Sequence, residues 1–128
     1  MDRPVTGGIY LVADELISLD DGKHRSVHDS RRPFLVLSTA DYNDRANWRV
    51  VLGCPISKST RFRTELCVKL AAGDGNMPEK CWVRVPALQA IPKSDLQDLT
   101  GSVPRPKLDE VRMRVLQYLG LIDEESPF

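Results

Sequence analysis

Apolar residues in this chain come in short runs separated by turn signals, and only the last segment switches to helical spacing. Short runs bounded by Gly, Pro, Asn and Asp read as strands, and residues 7–13, 33–38, 49–57, 64–70 and 80–85 fit that pattern, with a further apolar piece at 88–91. Pro33 opens the second strand, where its missing N–H falls outside the ladder, and Pro55 marks an edge or a bulge near the end of the third. Segment 64–70 alternates, with Leu66, Val68 and Leu70 opposite Glu65, Cys67 and Lys69, as a half-buried antiparallel strand does. In 80–85, Cys81, Val83 and Val85 face away from Trp82 and Arg84. The connections are polar: a long loop at 14–32, a stretch at 39–48 with room for one helical turn, and a turn at 71–79. Ser94 is placed to cap one helical turn carrying Leu96 and Leu99. From Pro106 the apolar residues Leu108, Val111, Val115, Leu116 and Leu119 follow helix spacing. Pro106 suits the first helical position, Asp109 and Glu110 complement the positive end of the dipole, and Gly120 is a stop signal. The expected fold is mainly β with one helix (α+β): a small, strongly bent antiparallel barrel or sandwich with a packed C-terminal helix.

With 128 residues the chain is one domain, with a core over about 7–121 and a short polar tail at 122–128. Apolar residues make up 41%, which argues against a disordered chain. No apolar run is long enough to cross a membrane as a helix, and Met1-Asp2-Arg3-Pro4 lacks the layout of a secretory signal. The reading is a soluble, cytoplasmic protein. Cys54, Cys67 and Cys81 form no Cys-x-x-Cys pair, and His24 and His28 are the only histidines, so the expectation is buried thiols in a reducing compartment and no metal site.

Zero net charge hides an uneven distribution. Residues 23–93 carry thirteen bases against six acids, while the two ends are acidic. A basic middle is a candidate face for a polyanion such as nucleic acid; the plainer alternative is that these bases pair with the acidic ends.

Two spots within that middle carry phosphate-binding chemistry. Arg31-Arg32-Pro33 stands where the long polar loop enters a buried strand, and a guanidinium fork fits phosphate oxygens. Ser57-Lys58-Ser59-Thr60-Arg61-Phe62-Arg63 follows another buried strand and offers hydroxyls and cations on a turn. His28 stands four residues before Arg32, and imidazole is the side chain whose ordinary pKa lies nearest neutrality. No Walker loop, Gly-x-Gly-x-x-Gly, Gly-x-Ser-x-Gly or His-Glu-x-x-His is present.

The order of these blocks resembles the PemK/MazF family of toxin endoribonucleases over about residues 7–121. Gly7-Gly8-Ile9-Tyr10-Leu11-Val12 is similar to the family's opening strand. Arg31-Arg32-Pro33-Phe34-Leu35-Val36-Leu37-Ser38 is the most specific match. The run from Val50 to Lys58, the Ile91-x-Lys93-Ser94-x-Leu96 turn and the terminal helix resemble later blocks. The sequence departs from the family pattern in the loop before Arg32, where the family's Glu has no counterpart, and at Gln89 and Pro92, which stand in place of an Arg and an Asp.

The resemblance implies an SH3-like barrel, usually a homodimer, that cleaves single-stranded RNA at short sequences without a metal or other cofactor. In that chemistry the ribose 2′-hydroxyl attacks the adjacent phosphorus and leaves a 2′,3′-cyclic phosphate and a 5′-hydroxyl. Arg32 and Ser57 match the family's catalytic positions, and His28 is a candidate for proton transfer. Arg31, Lys58, Arg61, Arg63 and Gln89 are candidates for holding RNA. Phe62 leads Tyr42, Trp48 and Trp82 as a platform for a splayed base. A small antitoxin occupying the RNA groove is the implied protein partner. The alternative is a non-catalytic binder or a CcdB-like gyrase poison on the same fold; the chain ends Glu124-Glu125-Ser126-Pro127-Phe128 rather than in the Trp-Gly-Ile tail of CcdB-like proteins.

Overall fold

The computed structural model describes residues 3–19 and 30–123. Among the described residues seven short strands and two α-helices follow one another: β1 (Gly8–Ala13), β2 (Arg31–Val36), α1 (Ala40–Asn43), β3 (Val50–Ser57), β4 (Val68–Leu70), β5 (Cys81–Val83), β6 (Gln89–Pro92), β7 (Leu99–Ser102) and α2 (Arg105–Tyr118). The strands form one antiparallel sheet in the order β4-β5-β3-β2-β1-β7, with β6 also on β3. The result is a mainly antiparallel half-barrel with one C-terminal helix.

The sheet bends along β3. Its first half, Val50 to Gly53, pairs with β6, and its last two residues, Ile56 and Ser57, pair with β5. Pro55 lies between these two partners, paired with Phe34 on the other side. It therefore sits in a central strand rather than at an edge, and its absent N–H falls where the neighbour changes, while its carbonyl accepts the Arg84 N–H at 2.9 Å. Gly53, at the same bend, lies so close to β2 that a Cβ there would collide with the Leu35 carbonyl and the Phe34 ring.

The central strands bury both faces, which is why they read as continuous apolar runs rather than alternating ones. Ile9, Leu35 and Cys54 face a core closed by β4, β5 and α2 through Val68, Leu70, Val83, Leu108 and Val111. Tyr10, Val12, Phe34, Val36 and Val51 face a second core closed by Ile91 and Leu96. The buried-thiol expectation holds for Cys54 and Cys81; Cys67 is half-buried, and all three are free.

Several sequence expectations need correction. The strand expected over 64–70 shrinks to β4, because the Thr64 hydroxyl accepts the Leu66 N–H and the Thr64 carbonyl accepts the Cys67 N–H, closing a turn instead of a ladder. The strand expected over 80–85 shrinks to β5, with Val85 opening a 3₁₀ turn, and Trp82 and Arg84 are buried along with Cys81, Val83 and Val85 rather than facing away from them. Ser94 is not a cap; it lies inside a 3₁₀ turn, Lys93–Asp95, that starts after Pro92. Leu99 belongs to β7, which pairs with the edge of β1 through its main chain. Pro33 is the third residue of β2, not the first, but it precedes the β2–β3 register, which begins at Phe34.

Helix α2 begins one residue before Pro106, which places Asp109 and Glu110 beyond the first turn. They form exposed ion pairs with Arg105 at 3.1 Å, with Arg112 at 3.7 Å and with Lys107 at 3.9 Å, each of small worth. The helix ends as expected: Gly120 takes φ +75°, and the Leu121 N–H returns to the Leu116 carbonyl at 2.9 Å. Among the described residues no helix is long and apolar enough to cross a membrane.

Candidate active site

Strand β2 runs antiparallel between β1 and β3, and this places Arg32 within reach of both. The β1–β2 register sets Arg32 beside Val12 and brings the residue after β1, Asp14, alongside. Asp14 opens a 3₁₀ turn, Asp14–Leu16, and is only 2% exposed. Arg32 Nε donates to Asp14 Oδ1 at 2.7 Å, and Nη1 donates to the Ile56 carbonyl of β3 at 3.3 Å. The guanidinium is thus tied down on two sides. Its Nη2 has no acceptor among the described residues.

Ser57 ends β3. It lies two residues beyond Pro55, the last β3 residue paired with β2, and next to Ile56, whose carbonyl accepts from Arg32 Nη1. Ser57 Oγ accepts the Ser59 N–H at 3.2 Å, which leaves the hydroxyl proton without a protein acceptor among the described residues. Asp14, Arg32 and Ser57 line one cleft of about 410 Å³, along with Arg31, Lys58 and Ser59. A cleft lined by a clamped guanidinium and a hydroxyl donor is suited to holding the nonbridging oxygens of a phosphodiester.

The other sequence candidates are placed as follows. Arg31 is held outward by Asp98 at 2.7 Å and Gln97 at 2.9 Å, an exposed pairing that leaves it at the cleft rim. Lys58 is exposed and 3.6 Å from Glu79. Arg61 and Arg84 each set a guanidinium over the Phe62 ring, at 5.3 and 5.7 Å, and Arg63 covers Trp82 at 5.5 Å. Phe62 and Trp82 therefore already have cationic partners. Gln89 stands apart from the cleft, and its amide spans the Ser18 backbone, accepting the Ser18 N–H at 3.0 Å and donating to the Ser18 carbonyl at 2.8 Å. Tyr42 and Trp48 pack on each other at the opposite end of β3, with ring centroids 4.8 Å apart. His28 lies outside the described residues. No group of three His, Cys, Asp or Glu side chains comes together among the described residues as a metal site.

Asp14 is the residue of this cleft that sequence reasoning missed. Its signal was available in principle: an acid directly following a buried strand, across a hairpin from the Arg that opens the next one. Without the register, nothing in one dimension joins two residues across a long polar loop.

Residues 7–119 match the sequence profile of a family described as a PemK-like, MazF-like toxin of type II toxin-antitoxin systems. No curated protein matches the sequence significantly. Among solved structures, the chain is similar to MazF from Deinococcus radiodurans, at 23% identity and a TM-score of 0.70 over 94% of this chain and 99% of that one. It is similar to an endoribonuclease solved in complex with its cognate antitoxin from a mycobacterial species, at 18% identity and a TM-score of 0.66 over 94% and 96% of the two chains. The Mycobacterium tuberculosis toxin MazF-mt6 is alike at 18% identity and a TM-score of 0.66 over 88% and 96%. At these identities the structures establish the shared fold.

Proposed function

The chain belongs to the PemK-like, MazF-like toxin family of type II toxin-antitoxin systems, and from that premise we propose that it is an endoribonuclease that cuts single-stranded RNA without a metal ion. The observation that carries the proposal is the pairing of Arg32, clamped by Asp14, with the Ser57 hydroxyl in one open cleft. The substrate's own 2′-hydroxyl is the nucleophile. Its oxygen bonds to the adjacent phosphorus while the bond to the 5′-oxygen of the next nucleotide breaks, giving a 2′,3′-cyclic phosphate and a 5′-hydroxyl. Charge builds on the nonbridging oxygens, where the Arg32 guanidinium and the Ser57 hydroxyl stabilise it. One such donor is worth about 3 kcal/mol in comparable oxyanion sites. Asp14 orients Arg32 by fixing Nε, so the Nη groups meet the phosphate without searching for a rotamer. A proton must leave the 2′-hydroxyl and another must reach the departing 5′-oxygen; His28, which precedes Arg32 by four residues, is proposed for one of these transfers. Arg31, Lys58, Arg61 and Arg63 supply positive charge around the cleft for the RNA backbone.

By the same reading the chain is a cytoplasmic homodimer held inactive by a cognate antitoxin. The solved mycobacterial relative is itself bound to its antitoxin, which supports that arrangement.

The test is direct. Purified protein in EDTA, mixed with a long single-stranded RNA, is expected to release fragments whose 3′ ends carry cyclic phosphates, and Arg32→Ala is expected to abolish most of the cutting. Intact RNA at high protein concentration, or fragments carrying 5′-phosphates, overturns the proposal.

A further inference from the structure

At the end of β3 remote from Ser57 lies a second and larger cleft, of about 690 Å³, which the catalytic reading does not use. It is lined by Arg3, Arg45, Arg49 and Lys93 against a single acid, Asp44. Lys93 is committed: its Nζ donates to the carbonyls of Tyr42, Asn43 and Arg45 at the C-terminus of α1. Arg3 reaches Asp44 only at 4.0 Å, between two exposed side chains. Arg45 and Arg49 form no ion pair among the described residues. Arg45 instead lays its guanidinium over the Tyr42 ring at 4.8 Å, and Tyr42 in turn supports Trp48. Trp48 borders the cleft and is 42% exposed, unusually open for so large an apolar side chain.

We propose that this cleft is a second single-stranded-RNA subsite, in which Trp48 stacks a base and Arg45 and Arg49 hold phosphates. The inference rests on the reading that the chain acts on RNA. Excess positive charge beside an exposed aromatic face is the combination that single strands need, since every base has a π face and every linkage has a charge. Strand β3 joins the two clefts, with Val50 at one and Ser57 at the other. Eight residues of strand span at most about 23 Å, the reach of roughly seven stacked nucleotides at about 3.4 Å each. The separation of the two clefts is within the reach of one RNA strand.

Trp48 is its own reporter. Trp82 is the only other tryptophan, and Trp82→Phe leaves Trp48 as the sole emitter. Oligothymidylate DNA is the probe, because it lacks the 2′-hydroxyl and cannot be cut. Saturable quenching of Trp48 that persists in Arg32→Ala and disappears in Arg45→Ala/Arg49→Ala supports the subsite. Should Trp82→Phe fail to fold, the salt dependence of oligothymidylate binding by the otherwise unaltered chain takes its place. There the double arginine variant is expected to lower the slope of log affinity against log salt by about 1.4. An unchanged slope, or Trp48 emission indifferent to DNA but quenched by an acidic peptide, overturns the subsite. The two readings fail separately: a chain that cuts RNA with no Trp48 response keeps the nuclease and loses the subsite, and a chain that quenches without cutting does the reverse.

Discussion

Asp14 and Arg32 meet at 2.7 Å, carboxylate to Nε, with the acid almost wholly buried. The pair ties the turn after β1 to the second residue of β2 and fixes Nε of the guanidinium. Breaking a buried ion pair by removing one partner costs about 3–5 kcal/mol.

Asp14→Asn keeps the shape and removes the charge. Its stability in urea is expected to fall by about 3 kcal/mol. At a temperature where the variant is still folded, kcat is expected to drop about 10²-fold with KM little changed, because Arg32 loses its aim rather than its charge. A folded variant with unaltered kcat removes Asp14 from the mechanism.

Arg32→Lys separates charge from geometry. The ammonium still neutralises Asp14, so thermal unfolding should stay within a few degrees of the parent. Lysine has no planar fork, however, and cannot hold Asp14, the Ile56 carbonyl and a phosphate together. RNA cleavage is expected to fall about 10²- to 10³-fold.

Ser57→Ala and Ser57→Thr form a matched pair. Alanine removes the Ser57 hydroxyl from the cleft it shares with Arg32, and a loss of about 10²-fold in kcat is expected. Threonine restores a hydroxyl at the same place and should recover most of the rate. Equal activity in the two variants would show that the hydroxyl takes no part.

The sequence made the strands and the terminal helix legible because their cores follow simple periodicities, and it exposed Arg32 and Ser57 because both adjoin buried runs. What it hid depends on main chain and on distance. Strand β7 carries Leu99, Thr100, Gly101 and Ser102, which follow no apolar pattern; it exists because the β1 edge offers it hydrogen bonds. Gln89 reads as a polar group near a site, yet its amide is fully used on Ser18 and Ala87. Phe62 reads as an open aromatic between arginines, and it is Arg84, far along the chain, that covers it. Asp14 was invisible for the same reason: its partner is set by a hairpin register, not by spacing.

Lys93 offers a test away from the Arg32 cleft. Its three hydrogen bonds cap α1, a helix too short to hold itself. Hydrogen bonds from a charged donor contribute about 1.5–3 kcal/mol, so Lys93→Met is expected to lose about 2 kcal/mol in urea unfolding.

The cysteines predict a pH dependence with a definite sign. Burial, with Cys67 nearby, pushes the Cys54 thiol up to about 12. Burial, with Asp74 and Glu79 nearby, pushes Cys81 up to about 11. Above the ordinary value of 9.0 the unfolded chain gives up these protons while the folded chain keeps them. The unfolded state then binds fewer protons, so stability is whole below about pH 9 and declines as pH rises through the folded values. Urea midpoints should accordingly be flat between pH 7 and 8.5 on account of these groups and should fall between pH 9 and 11. Substituting both buried cysteines by alanine is expected to flatten the decline, at a lower overall stability from the lost packing. At pH 8 a thiol reagent should label Cys67 first, with Cys54 and Cys81 reacting only on unfolding. Labelling of Cys54 as fast as Cys67 in the folded chain would contradict its burial in the core between β2 and β5.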